Sequence, residues 1–182
     1  MLRPFYFLLF KILGWKINGS LPTDIKKYII AVAPHTSSWD FPLGLATRSL
    51  LGIHKAKFLG KSQLFKPPFG WFFRALGGHP VDRSSHHDMV DQVVKIFDNH
   101  DEFVLALAPE GTRKKVDKLR TGFYFIAKGA HVPIIPMGFD FSKKEIIVGQ
   151  PLYTTVHFDS DMEKIMSFYR TIRGRNPALG IS

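Results

Sequence analysis

Short apolar runs alternate along the chain with stretches whose apolar residues fall at helical spacing. This alternation limits the fold more than any other feature. YIIAVA (28–33), KAKFLG (55–60), HPVD (79–82), EFVLALA (102–108), VPIIP (132–136) and EIIVG (145–149) read as strands. FPLGLATRSLLG (41–52), FGWFFRALGG (69–78), residues 86–99 and TGFYFIAKGA (121–130) read as the helices between them. In the 86–99 segment, Met89, Val90, Val93, Val94 and Phe97 repeat with a helical period, and Ser84 or Ser85 stands where a cap belongs. DSDMEKIMSFYRTIRG (159–174) closes the series, with Met162, Ile165, Met166, Tyr169 and Ile172 on one side. The expected fold is α/β: a single domain with a mixed central β-sheet flanked by helices. With 182 residues and 45% hydrophobic content, the chain can build one sizeable core and is too apolar for disorder.

The first residues, MLRPFYFLLFKILGWKI, carry an apolar run at 4–10 that Lys11 and Lys16 then interrupt. A spanning helix needs roughly 20 apolar residues, so a helix lying in a membrane interface fits better. There the Phe and Leu side chains would be buried, Lys11 and Lys16 would reach toward phosphates, and Trp15 would sit at headgroup depth. The alternative is an ordinary helix packed on the domain's own core. The domain division is therefore an interface helix over residues 1–20 and an α/β domain over 21–182.

Charge narrows the partners. A formal net charge of +10 attracts anions such as nucleic acid, acidic membrane or an acidic carrier. No RNP-like strand, zinc-finger spacing or recognition helix is present, so nucleic acid ranks well below a membrane surface and no nucleic-acid partner is expected. With no cysteine, the chain has no disulfide, thiolate metal site or cysteine nucleophile, which fits a reducing compartment. His87 and Asp91 have the i, i+4 spacing of a zinc pair but lack an evident third ligand, so no metal is expected.

PHTSSWD (34–40) follows directly on the first strand. In an ideal helix, His35 and Asp40 would point about 140° apart. A turn at 35–37 with a helix starting near Ser38 changes that. Asp40 then reaches back to His35 Nδ1 and leaves Nε2 free as a base. This is the logic of a serine-protease triad without its serine, so the nucleophile would be the substrate's own hydroxyl. The alternative is a plain helix start, with Ser37 or Ser38 as cap, Asp40 favoured by the helix dipole and His35 a satisfied loop residue. No G-x-S-x-G elbow supports a covalent serine hydrolase.

Three later segments add to this. GKSQLFKPPFGWFFRALGGHPVDR (60–83) joins an aromatic stretch to Val81, Asp82 and Arg83. LALAPEGTRKK (105–115) ends a strand in a turn where Gly111 permits close approach and Arg113 offers a planar fork for phosphate. HVPIIP (131–136) is an apolar strand bracketed by prolines. HTSSWD, HPVDR, PEGTR and VPIIP, in that order over residues 35–136, resemble the four motifs of the glycerolipid acyltransferases, the lysophosphatidic acid acyltransferase (PlsC-like) family. Gln63 and Lys114 depart from that pattern, standing where glutamate and serine are more frequent.

The resemblance implies acyl transfer from an acyl-thioester, of CoA or acyl carrier protein, to the hydroxyl of a lysophospholipid. No cofactor beyond the donor is implied. By the same resemblance, His35 is the catalytic base and Asp40 its orienting partner. Arg83, Glu110, Gly111, Thr112 and Arg113 bind the acceptor's phosphate end, and Pro133 shapes the acyl or acceptor pocket. The enzyme would be membrane-associated, peripheral or monotopic, on the cytoplasmic face. Two alternatives remain: a noncatalytic binder of anionic lipid, and an acyltransferase for a non-phosphate acceptor such as a lyso-ornithine lipid.

Overall fold

The computed structural model describes residues 3–81, 86–116 and 118–181, with the backbone alone at 61 and 86–88. At its centre lies β2 (Lys27–Val32), which is buried on both faces. Its side chains alternate as the pleat requires. Ile29 and Ala31 enter one apolar cluster, and Tyr28 and Ile30 enter the other. An apolar run without polar alternation is the signature of a strand covered on both sides, and YIIAVA is such a run.

Among the described residues the chain forms one seven-stranded sheet. Its strands are β1 (Lys16–Asn18), β2, β3 (Lys57–Lys61), β4 (Gly78–Val81), β5 (Phe103–Leu107), β6 (Ile134–Asp140) and β7 (Glu145–Val148). The spatial order is β1-β7-β6-β2-β5-β3-β4, and every pairing is parallel except β6 with β7. The sheet is therefore mixed. One face is covered by α1 (Arg3–Leu13) and α2 (Asp40–Leu50). Phe10 and Ala46 pack there with Ile30, Val104, Ile135, Met137 and Ile146. The other face is covered by α4 (His86–Asp98), α5 (Gly122–Gly129) and α6 (Phe158–Arg170). They bring Val93, Phe97, Phe123, Tyr124, Ile126, Ile165 and Tyr169 against Ile29, Leu105 and Ile134. A short helix, α3 (Gly70–Ala75), stands beside β4.

Four elements differ from the sequence expectation by more than a residue or two; of these, β6 runs on to Asp140 rather than ending at 136, and α6 stops at Arg170 rather than 174. The first helix ends at Leu13 rather than near residue 20. Gly14 takes φ +73°, a left-handed conformation that ends a helix, and Lys16–Asn18 then joins the sheet beside β7. A three-residue strand is too short to show a period in sequence. The aromatic helix is shorter than 69–78; it ends at Ala75, and Gly77 turns the chain with φ +93°. Its aromatic residues divide. Phe73 packs edge-on near Phe65, whereas Trp71 and Phe72 are 72% and 46% exposed.

Candidate active site

The sheet order brings the site together. β2 and β5 are neighbours in register, with Ile29 opposite Leu105 and Ala31 opposite Leu107. Both run the same way, so the loops that leave them, 33–39 and 108–121, emerge side by side. Carboxyl ends of central parallel strands are where α/β sheets bind their ligands. Two segments 75 residues apart in sequence, around His35 and around Glu110, meet there.

His35 leaves the end of β2 through a cis Ala33–Pro34 bond. Its Nδ1 stands 2.9 Å from Asp40 Oδ2, with the imidazole side chain 28% exposed and the carboxylate 3% exposed. Nδ1–H donates to that oxygen, so Nε2 carries the free lone pair. Asp40 opens α2, which lets its carboxylate fold back over the turn. The same Oδ2 accepts the Ser37 amide at 2.9 Å, so the loop it closes is pinned at two points. No side chain caps α2; Trp39 occupies the cap position in a helical conformation, and Ser37 Oγ accepts the Trp39 amide instead. The turn thus keeps a capping-type Ser37 contact and an acidic first-turn residue, and adds the His35–Asp40 pair. The other oxygen of Asp40, Oδ1, is buried with no hydrogen-bond partner among the described residues.

The loop after β5 supplies three groups. Gly111 takes φ +66°, and a Cβ there would lie 2.7 Å from Arg120 Nε, so only glycine fits the turn. Arg113 Nη1 donates to Ser38 Oγ, which lays the guanidinium beside the turn holding His35 and leaves its other N–H groups toward solvent. Thr112 Oγ1 accepts the Lys114 amide and shapes the same turn.

Glu110 departs from its expected place. The resemblance puts it among residues that meet a phosphate. Its side chain instead lies inside the protein, 1% exposed, and Oε2 accepts the His35 backbone N–H at 2.5 Å. Burial pushes its carboxyl above the usual carboxylate range; the His35 amide and the His35 ring act the other way, and nearby Asp40 adds to the rise. A buried carboxylate behind His35 is poorly placed to receive a second anion, and its geometry is that of a support. Beneath it lies Tyr169, fully buried, whose hydroxyl donates to Ala31 O at 2.6 Å. Burial, and then the Glu110 charge, hold that phenol well above its ordinary pKa.

Pro133 is also not brought to His35. Its carbonyl accepts the Ile29 amide at the start of β6, and β6 runs parallel to β2. At about 3.3 Å per residue, Pro133 therefore lies on the order of 20 Å from the His35 end of the sheet. The part of β6 that reaches the site is its far end; a Cβ on Gly138 would stand 3.0 Å from Ala33 O. Arg83 and the serines expected to cap α4 lie outside the described residues, as do the side chains of His86 and His87.

Comparison with known proteins gives a consistent result. The sequence model of a family described as Acyltransferase matches residues 16–140. A 1-acyl-sn-glycerol-3-phosphate acyltransferase of Streptococcus pneumoniae is 31% identical over 137 residues, covering 69% of this chain and 49% of that protein. One of the same name from Saccharomyces cerevisiae is 28% identical over 151 residues, covering 74% of this chain and 46% of that protein. The chain thus spans about half the length of the curated relatives it matches. In fold it resembles the crystal structure of the 1-acyl-sn-glycerophosphate (LPA) acyltransferase PlsC from Thermotoga maritima. The TM-score is 0.63 at 20% identity, over 92% of this chain and 74% of that one.

Proposed function

Because the chain belongs to the acyltransferase family, we propose that it transfers a fatty acyl group from an acyl-thioester to the free hydroxyl of a lysophospholipid of the 1-acylglycerol-3-phosphate type. The observation that carries this reading is the His35–Asp40 pair, with Nε2 free and the Arg113 guanidinium beside it. In the reaction, Nε2 takes the acceptor's hydroxyl proton as its oxygen forms a bond to the thioester carbonyl carbon. The tetrahedral adduct collapses, the C–S bond breaks, and the imidazolium returns its proton to the departing thiolate. General-base help of this kind contributes about 10²–10⁴-fold. Asp40 steadies the imidazolium while it exists and does not itself need to change protonation.

The acceptor's phosphate meets Arg113, the Gly111–Thr112 turn and Arg83. The Arg113 fork suits a bidentate phosphate contact. The donor is an acyl-CoA or acyl carrier protein, and the +10 charge favours approach of either anion. The enzyme works as a peripheral protein at the cytoplasmic membrane face, where such donors are dissolved. Among the described residues no helix is long and apolar enough to cross a membrane. α1 supports contact with the interface: Phe5, Phe7, Leu8, Ile12 and Leu13 are exposed, while Phe10 alone of that helix is buried in the core.

The test is incubation with a radiolabelled acyl-thioester and 1-acylglycerol-3-phosphate. Labelled diacyl product and an equal amount of free thiol are expected. Lipid binding with neither product would contradict the enzyme and favour a passive binder of anionic lipid.

A further inference from the structure

The family match ends at residue 140, yet the turn that carries His35 is tied down by residues that follow α6. Asn176 holds Thr36 twice. Its backbone N–H donates to Thr36 Oγ1 at 3.2 Å, and its side-chain Nδ2 donates to Thr36 O at 2.8 Å. Thr36 is 2% exposed and is the residue between His35 and Ser37. Two residues earlier, Gly174 passes so close that a Cβ would stand 2.6 Å from Thr36 Oγ1 and 3.1 Å from Pro34 Cγ. Gly174 is not in a left-handed conformation, so space rather than backbone freedom calls for glycine there. Arg175 lays its guanidinium carbon 5.3 Å from the centre of the Trp39 ring and 5.9 Å from that of Phe141. At the other end, Arg173 O accepts the Phe141 amide, and the Arg173 backbone helps hold the buried Asp140 carboxyl below the usual aspartate range, against the effect of burial. Residues 173–176 thus form a strap from the end of β6 across the 34–39 turn.

We infer that this strap is part of the active site, and that Asn176 is a positioning residue that sets His35 against Asp40 through Thr36. The inference rests on His35 being the base. The His35–Asp40 contact joins residues on either side of Thr36, so a shift of the Thr36 peptide moves the imidazole relative to a carboxylate anchored in α2. Thr36 has its backbone oxygen and its hydroxyl both committed to Asn176. Losing one hydrogen bond of this kind amounts to about 1 kcal/mol, which is about fivefold in rate.

The experiment compares Asn176→Ala, Gly174→Val, Thr36→Val and Thr36→Ser with the wild type. Three readouts are taken: kcat and KM for thiol release, the thermal midpoint, and the imidazole nitrogen signals of His35 in a ¹⁵N-labelled sample. Asn176→Ala and Thr36→Val should lower kcat about fivefold with KM for either substrate within twofold. Gly174→Val should do at least as much. Thr36→Ser, which keeps the hydroxyl, should stay within about threefold of wild type, less than the loss of a hydrogen bond. His35 in the wild type should show one tautomer with Nδ1 protonated, and a mixture in Asn176→Ala. The inference is overturned if Asn176→Ala keeps kcat within twofold. It is equally overturned if activity falls only in step with the thermal midpoint while the His35 signals stay unchanged. His35→Ala serves as the control: an active His35→Ala enzyme removes the base, while the imidazole signals of Asn176→Ala still decide whether the strap sets the ring.

Discussion

Glu110 is the residue in the site whose charge and whose hydrogen bond can be separated. Glu110→Gln keeps an oxygen that can accept the His35 amide but removes the buried charge. Glu110→Ala removes both. Burial raises this carboxyl's pKa, so its folded value lies above the unfolded one. The stability linked to the proton is then complete below the unfolded value, about 4.3, and is lost as pH rises through the folded value. Thermal midpoints at pH 4 and pH 7 should show Glu110→Gln gaining on the wild type as pH rises. kcat should fall further in Glu110→Ala than in Glu110→Gln. A glutamine variant that loses ground to wild type between pH 4 and pH 7 would contradict this placement. The pairing of His35 with Asp40 was legible because it needs only one tight turn within six residues. The Glu110 support was not. It spans 75 residues and depends on β2 and β5 being neighbours, which no local pattern encodes. Pro133 illustrates the same limit, since a motif's order in sequence says nothing about which end of a strand it occupies.

Among the elements, α1 serves two surfaces. Phe10 enters the core beside Trp15, while Phe7 and Ile12 are 65% and 72% exposed. The core-packed reading of the N-terminal run holds for Phe10, and the interface reading rests on the exposed stripe. The helix packs on the domain with one stripe and offers the other to its surroundings. Replacing Phe7 and Ile12 together with Asp should sharply reduce co-sedimentation with phosphatidylglycerol vesicles while leaving the thermal midpoint within a few degrees, because neither side chain packs in the core. Vesicle binding equal to wild type would show that this face is not the contact. The long elements were legible from periodicity; β2 and α4 fall close to their expected places, while α6 starts where expected but ends four residues early. β1 was hidden because three residues beside a left-handed glycine carry no period. The strap was hidden for a different reason. RTIRGRN (170–176) reads in sequence as a basic helix end, and only the fold shows Gly174 and Asn176 against Thr36.

For the molecule as a whole, the sheet order decides where chemistry happens. A central strand buried on both faces sends its loop out beside that of its parallel neighbour, and His35, Asp40, the buried Glu110 and the Arg113 guanidinium collect at that edge. The strap closes the turn from the far end of the chain. A formal net charge of +10 favours the approach of anions, as the proposed donor and membrane surface both are. The proposed function turns on one event, removal of a proton from an alcohol by His35 Nε2. The most direct measurement is the initial rate of thiol release by His35→Ala beside the wild type, at matched concentration and with thermal midpoints shown to agree. A fall of about 10²-fold or more is expected, the share that general-base catalysis supplies. A variant that still releases thiol and forms diacyl product at close to the wild-type rate would contradict the account.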